Sequence, residues 1–335
     1  VYEILKANKK YLKYLFIVLL ITIFIVCFDG YIQFFFEKNL IGYEKYRVDR
    51  ISGFFKNDLI LGSYLSRLFP IFFGLTLYLN EKNQLPINIK YIFFIFILVD
   101  VLTFLSGERS AFFYINFSAI FMIIMIKNFK TARFVTLMIS ILIILLISII
   151  RPNFKERMVD FTLEQSNVPK SENINAQKAL SFFGNKYVFS QTHTHLYLTA
   201  YEIYKDHKYF GIGVKNFSNI CKIAKYNLYK FSCSTHPHNT YIQIITETGI
   251  FGLVLILCIF LYIVACCFKH LFSIIVRKKY YFSDFQICML AALLITLWPL
   301  IPSGNFFNNW LSIIYYLPVG FLLKDVCSKK SKNIN

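Results

Sequence analysis

The sequence predicts an all-α polytopic membrane protein, and three observations carry that expectation. Of its 335 residues 57% are hydrophobic, and the mean hydropathy is +0.54. Apolar stretches long enough to cross ~30 Å of hydrocarbon recur along the chain. Segments of about ten residues with alternating polarity, the mark of a membrane β-barrel, are absent from it.

Eight spans are expected, at 13–34, 59–79, 89–106, 110–126, 134–150, 241–267, 285–302 and 307–323. The first follows a lysine-rich start but runs on through Phe34, Phe35 and Phe36 with no small-residue cleavage site. It therefore reads as an anchor, not a signal peptide. The opening Val fits an alternative start codon or a missing amino-terminal piece. The second span carries Arg67 well inside it, and the third carries Asp100. A buried Arg67–Asp100 pair that fixes helix packing and a polar cavity that uses Arg67 are both open, with Asp58 as a second counter-ion candidate.

Orientation follows from the short loops. Lys6, Lys9, Lys10 and Lys13 begin the chain; Lys82 and Lys90 follow the second span; Lys127, Lys130 and Arg133 follow the fourth. Lys269, Arg277, Lys278 and Lys279 follow the sixth, and Lys324, Lys329, Lys330 and Lys332 end the chain. All fall on one side of an eight-span arrangement, so the positive-inside rule puts both termini in the cytoplasm. The net charge of +18 is then largely topological, with some attraction to membrane lipids, and calls for no nucleic acid. Arg47, Arg50, Arg109, Arg151 and Arg157 lie outside, where topology does not require them, and a guanidinium is well suited to phosphate.

Three regions are expected: 1–150 with the first five spans, a large outer loop at 151–240, and 241–335 with the last three spans and a cytoplasmic tail. A polar outer connection at 35–58 joins the first two spans. Within the large loop, 192–206 has amphipathic helical spacing, and 164–178 reads as mobile. Cys27, Cys258, Cys266, Cys267 and Cys288 fall in spans as small apolar residues, and Cys327 in the tail. Cys221 and Cys233 share the outer loop, where a disulfide between them is expected.

Each candidate site has a plain reading beside its functional one. Ser106-Gly-Glu-Arg-Ser-Ala111 punctuates two helices, or mounts Arg109 rigidly toward an anionic headgroup. Four histidines form two pairs, His193/His195 and His236/His238, and in extended backbone each pair puts both rings on one face. No cysteine or carboxylate has matching ligand spacing, so neither metal nor cofactor is expected. Asn239 and Thr240 read as caps of the sixth span, which leaves the imidazole of His238 unexplained. A titratable base at that mouth suggests chemistry at the outer leaflet. Gly211-Ile-Gly213 lacks a strand-turn-helix context and reads as a turn; the outer turn 301–310 fits an aromatic belt or sugar contacts.

Together these strings resemble the O-antigen ligase and O-antigen polymerase family of bacterial envelope glycosyltransferases. His238, Asn239, Gly249 and Gly252 meet a His-Asn, nine residues, Gly-x-x-Gly pattern. Ser106-Gly-Glu-Arg109 looks like the family's small-residue-plus-arginine turn. Arg50-Ile-Ser-Gly-Phe-Phe55 with Leu61-Gly-Ser-Tyr64, and Asp206 with Gly211-Ile-Gly213, are similar to its upstream segments. The resemblance covers roughly 45–325. Two departures stand out: members commonly have more spans, and ligases tend to carry a second loop arginine where this chain has His193, His195 and Lys205.

The resemblance implies a GT-C-like membrane fold whose large loop is periplasmic. It implies transfer of a glycan from undecaprenyl diphosphate to an acceptor hydroxyl, lipid A–core for a ligase or another repeat unit for a polymerase. His238 would then be the general base and Arg109 the main stabiliser of the leaving diphosphate. Arg47, Arg50 and Arg67 are expected as helpers, with His193, His195, His236, Asn239 and Glu247 as further substrate-binding candidates. Direct displacement would invert the anomeric centre. The closer histidine motif favours ligase. A lipid or polysaccharide transporter is the non-enzymatic alternative, but it calls for charges spread over several spans and for internal repeats.

Overall fold

The computed structural model describes residues 10–164 and 189–332, and side chains as far as 323. Lys6, Lys9, most of 164–178, and the side chains of Lys324, Cys327, Lys329, Lys330 and Lys332 lie outside the described residues. Nine long helices are found there: α1 Lys10–Phe36, α2 Leu61–Glu81, α3 Ile89–Leu105, α4 Arg109–Met125, α5 Lys130–Ile150, α6 Gln191–Asp206, α7 Thr240–Arg277, α8 Asp284–Thr296 and α9 Asn309–Lys332. Each expected span falls on one of them, and the expected amphipathic segment is α6. Among the described residues α1, α5 and α7 are long and apolar enough to cross a membrane. Short helical pieces lie at Gly53–Phe55, over 152–164 and at Phe217–Ile220, and the remaining described residues are turns and connections with two isolated antiparallel bridges, Lys38 with Glu44 and Arg47 with Arg50.

The chain divides into two units, 1–155 with 263–296 and 313–335, and 156–262 with 297–312. In the first unit α2 is the centre: α1, α3, α4 and α8 all pack on it. Its side chains are buried on every face through the middle turns, as expected of a helix apolar all round. Gly74 makes room for α8, since a Cβ there would stand 2.8 Å from the Cys288 Cβ. Phe69, Phe72, Phe73, Phe93 and Phe96 interlock edge-to-face between α2 and α3. Buried hydroxyls at Thr76, Thr103 and Ser118 bond carbonyls of their own helices, which satisfies them in apolar surroundings.

One buried ion pair corrects an expectation. Asp100 does not meet Arg67; Arg133 takes both its oxygens in a bidentate fork, Nη1 to Oδ2 at 2.7 Å and Nη2 to Oδ1 at 3.0 Å. The Ser140 hydroxyl adds a third bond to the carboxylate. Arg133 is therefore no loop cation. It lies on the first turn of α5, fully buried, with its guanidinium over the rings of Phe69 and Phe96. Asp58 is exposed and is no counter-ion either.

The second unit is built on α6. Ser190 caps it, and its apolar face, Leu196, Ala200 and Ile203, packs on Phe217, Cys221 and Tyr226. Cys221 and Cys233 are disulfide-bonded, their Cα atoms 5.3 Å apart. Asp206 accepts from Tyr226 Oη at 2.8 Å and pairs with Lys225, and these partners hold its carboxyl below the usual range.

Gly249 interrupts α7, with φ 70° and ψ −164°, a conformation that only glycine adopts readily. The break frees backbone groups, and the loop after α6 uses them. Ile212 N donates to Thr246 O at 3.1 Å, Gly213 N to Glu247 O at 2.9 Å, and Ile250 N to Lys208 O at 2.9 Å. Contact is backbone to backbone: a Cβ on Gly249 would fall on the Tyr209 carbonyl, and one on Gly211 would fall on Glu247. Gly211-Ile-Gly213 is thus a docking turn. Gly249→Ala is expected to destabilise the second unit by about 2–4 kcal/mol, from strain and lost backbone bonds together. Thermal unfolding in detergent measures it, with Gly213→Ala, where nothing stands near a Cβ, as the milder comparison.

Candidate active site

Three of the four predicted histidines come together in the second unit. The rings of His236 and His238 are 4.1 Å apart, and that of His193 stands edge-on to His238 at 5.7 Å. The fourth, His195, turns away. Residues two apart on a helix point to opposite sides, ~200° round, so α6 separates His193 from His195. The expectation that extended backbone aligns this pair is corrected accordingly. His195 is buried and stacks on Tyr229 and Phe231.

Each imidazole in the cluster is oriented by a hydroxyl. Ser190 Oγ is 2.7 Å from His193 Nδ1, Thr235 Oγ1 2.9 Å from His236 Nδ1, and Ser234 Oγ 3.0 Å from His238 Nε2. His236 Nε2 faces the Ser303 carbonyl at 3.3 Å; a carbonyl only accepts, so that nitrogen carries the proton and Nδ1 takes the Thr235 hydroxyl. His238 holds a left-handed backbone, φ 58°, secured where its carbonyl accepts from Ser303 N at 2.8 Å. Such strain in a non-glycine residue clusters at functional sites. Burial lowers the proton affinity of His238, and of His236 further, to about 4, with the neighbouring His238 adding to the effect.

Around this cluster the polar side chains act as struts. Asn239 Oδ1 accepts from Tyr241 N and Ile242 N, capping α7, and its Nδ2 donates to Pro299 O at 2.8 Å. Thr240 Oγ1 meets Ser303 Oγ at 2.9 Å. Glu247 is fully buried. Its carboxylate accepts from Lys215 N at 3.0 Å, Phe217 N at 3.4 Å and Gln243 Nε2 at 3.1 Å. Gln243 in turn binds Asn305 Oδ1 and Phe306 N, so 297–312 is fastened to α7 through a side chain the sequence analysis did not single out.

Arg47, Arg50, Arg67, Arg109 and Arg151 belong to the first unit, and Arg157 to the second. Arg109 opens α4, directly after Glu108, in a turn clamped from two sides. Glu108 is buried and accepts from Gly62 N at 2.6 Å and Ser63 N at 3.2 Å, a carboxylate on the amino end of α2. Burial raises its carboxyl above the ordinary value, opposed by Ser63, Arg50 and the Gly62 amide. Arg50 donates from Nε to Ser106 O at 3.0 Å and from Nη2 to Leu59 O at 3.2 Å. Gly107 leaves room for the Arg50 stem, its Cβ position lying 2.7 Å from Arg50 Cγ. Neither Glu108 nor the bracing role of Arg50 was expected; the signal was a carboxylate beside an arginine in a turn too short for solvation.

Arg67 is only 3% exposed, stacked 4.9 Å from the ring of Tyr114, with Nη1 on Ser63 O at 3.3 Å and Nε without a partner among the described residues. Arg47 is exposed and paired with Asp49 at 3.0 Å. Arg151 lines a small polar cavity with Glu37, Lys45 and Asn153. Among the described residues no three His, Cys, Asp or Glu side chains are disposed to hold a metal ion.

The O-antigen ligase family model matches residues 92–257, a stretch that holds Arg109, the histidine cluster, Glu247, Gly249 and Gly252. No curated protein and no solved structure matches the chain. With its arginine turn, its histidine cluster and the glycine break of α7 all inside the matched stretch, this apolar helical chain carries an O-antigen ligase family domain, of the kind found in surface polysaccharide biosynthesis.

Proposed function

We propose that the protein is an inverting, metal-independent glycosyltransferase of the bacterial inner membrane, crossing it eight times with both termini in the cytoplasm and the loop 151–240 in the periplasm. It transfers a glycan from undecaprenyl diphosphate to an acceptor hydroxyl, as a ligase onto lipid A–core. The observation that carries this reading is the imidazole cluster: His238, half-buried, has a lowered proton affinity, a hydroxyl on Nε2 and two further rings against it. A neutral imidazole at working pH is the form a general base needs.

In the proposed step His238 takes the acceptor proton as the oxygen attacks the anomeric carbon. The bond to the carrier diphosphate breaks on the opposite face, and the leaving group departs with its electron pair. Arg109 stabilises the developing charge with its fork of donors, and Arg47 and Arg67 are the further cations offered. His193 and His236 act as substrate contacts, and burial keeps His238 unprotonated.

The test is the surface glycan banding pattern of a strain lacking the gene, with lipid-carrier intermediates quantified. Long chains stranded on the carrier beside bare lipid A–core mark a ligase. Core capped by one repeat marks a polymerase, and an unchanged pattern overturns glycan transfer.

Acid should act twice. For groups whose folded proton affinity is lowered, the unfolded chain protonates first, near the ordinary ~6.5, so the fold loses stability as pH falls from there toward about 4 for His236. Transfer falls in the same direction as His238 takes up a proton. Rate and melting temperature measured from pH 8 down to about 4.5 check both, and an acid-enhanced rate would contradict the assignment.

A further inference from the structure

The loop after α6 carries an apolar run between two exposed lysines, Lys208-Tyr-Phe-Gly-Ile-Gly-Val-Lys215. Tyr209 and Phe210 are 67% and 79% exposed, and Val214 is exposed beside them. Neither lysine has an ion-pair partner among the described residues, unlike Lys205 and Lys225 in the same unit. The run is no loose flap, because the backbone bonds at the Gly249 break fix its course. Phe210 packs its ring 5.4 Å from Phe251, itself exposed. From Phe251 the exposed apolar surface continues along α7 through Val254, Leu255 and Tyr262.

The length of α7 says where this surface lies. Beyond the break at Gly249, 250–277 runs on as one unbroken helix of about 42 Å, long enough for a ~30 Å hydrocarbon core together with its headgroup regions. With Arg277 at the inner face, ~20 residues of hydrocarbon and a few of headgroup carry the outer boundary to the neighbourhood of Gly249. Aromatic rings flanked by lysines are the side chains that settle at such a boundary, ring in the interface and ammonium at the phosphates.

We propose that the 208–215 loop is a membrane-interface anchor. Tyr209 and Phe210 enter the outer-leaflet interface, Lys208 and Lys215 meet lipid phosphates, and the occupant of this apolar surface is the bilayer. The loop then sets the height of the histidine cluster, because Asn239 begins the upper half of α7 from which it hangs. The proposal does not depend on the glycan-transfer reading.

The test uses the full chain in vesicles of phosphatidylethanolamine and phosphatidylglycerol. Trp298 and Trp310, the two native tryptophans, are replaced by phenylalanine, and Phe210→Trp supplies the probe. Lys222→Trp, on an exposed site of the same unit, is the aqueous control. The expected result is blue-shifted emission from position 210, quenched several-fold more by lipids brominated high on the acyl chain than by acrylamide, with the reverse at 222. Water-like emission at 210 with strong acrylamide quenching overturns the proposal. Quenching by neither also overturns it, since the loop would then be covered by protein. Tyr209→Trp repeats the measurement should the first variant fold poorly.

Discussion

His238→Ala is expected to reduce glycan transfer by a factor on the order of 10²–10⁴, the usual contribution of a positioned general base. The left-handed backbone at this position needs its own control, because alanine there is strained. Asparagine tolerates that conformation and has no basic nitrogen, so His238→Asn separates the two effects. Equal losses in both variants, with unchanged melting temperature, assign the effect to the imidazole. Near-full transfer by His238→Asn would remove His238 from the chemistry. His236→Ala and His193→Ala should cost less. His193→Ala should also ease the protonation of His236, whose proton affinity the neighbouring ring helps to lower.

Asp100→Ala is expected to destabilise the first unit by about 3–5 kcal/mol, because it strands a buried guanidinium among phenylalanine rings. The double replacement Asp100→Leu with Arg133→Met should recover most of that loss, since the two charges are then removed together. Denaturant unfolding in detergent, read as a double-mutant cycle, measures the coupling. A double variant no more stable than Asp100→Ala would mean that Arg133 finds other support.

The helical architecture was legible because length and polarity are linear properties. An apolar run removed from water closes its own backbone bonds by coiling, and each of the eight expected runs lies on a helix. Charge partners were less legible. Depth along the helices matches Asp100 with Arg67, yet the long arm of Arg133 reaches Asp100 from the first turn of α5, and only packing reveals that. The histidine pairing is a milder case: the helical reading of 192–206 already implies that His193 and His195 diverge. The break in α7 had no clear mark, for Gly249 sits in an apolar run that reads as continuous. What opens it is a turn more than thirty residues upstream in sequence (Ile212 and Gly213 against Thr246 and Glu247), which a local reading does not connect.

The docking of that turn also bears on how relatives of this chain can diverge. Ile212, Gly213 and Lys215 reach α7 and Glu247 through main-chain N–H groups, and Lys208 through its carbonyl. Main-chain partners are the same for almost any residue type. Provided the glycines at 211 and 249 are kept, mutation can rewrite the outward side chains at 208, 209, 210, 214 and 215 without loosening the fixture. A lineage facing a different envelope can therefore retune this surface while its framework stays put.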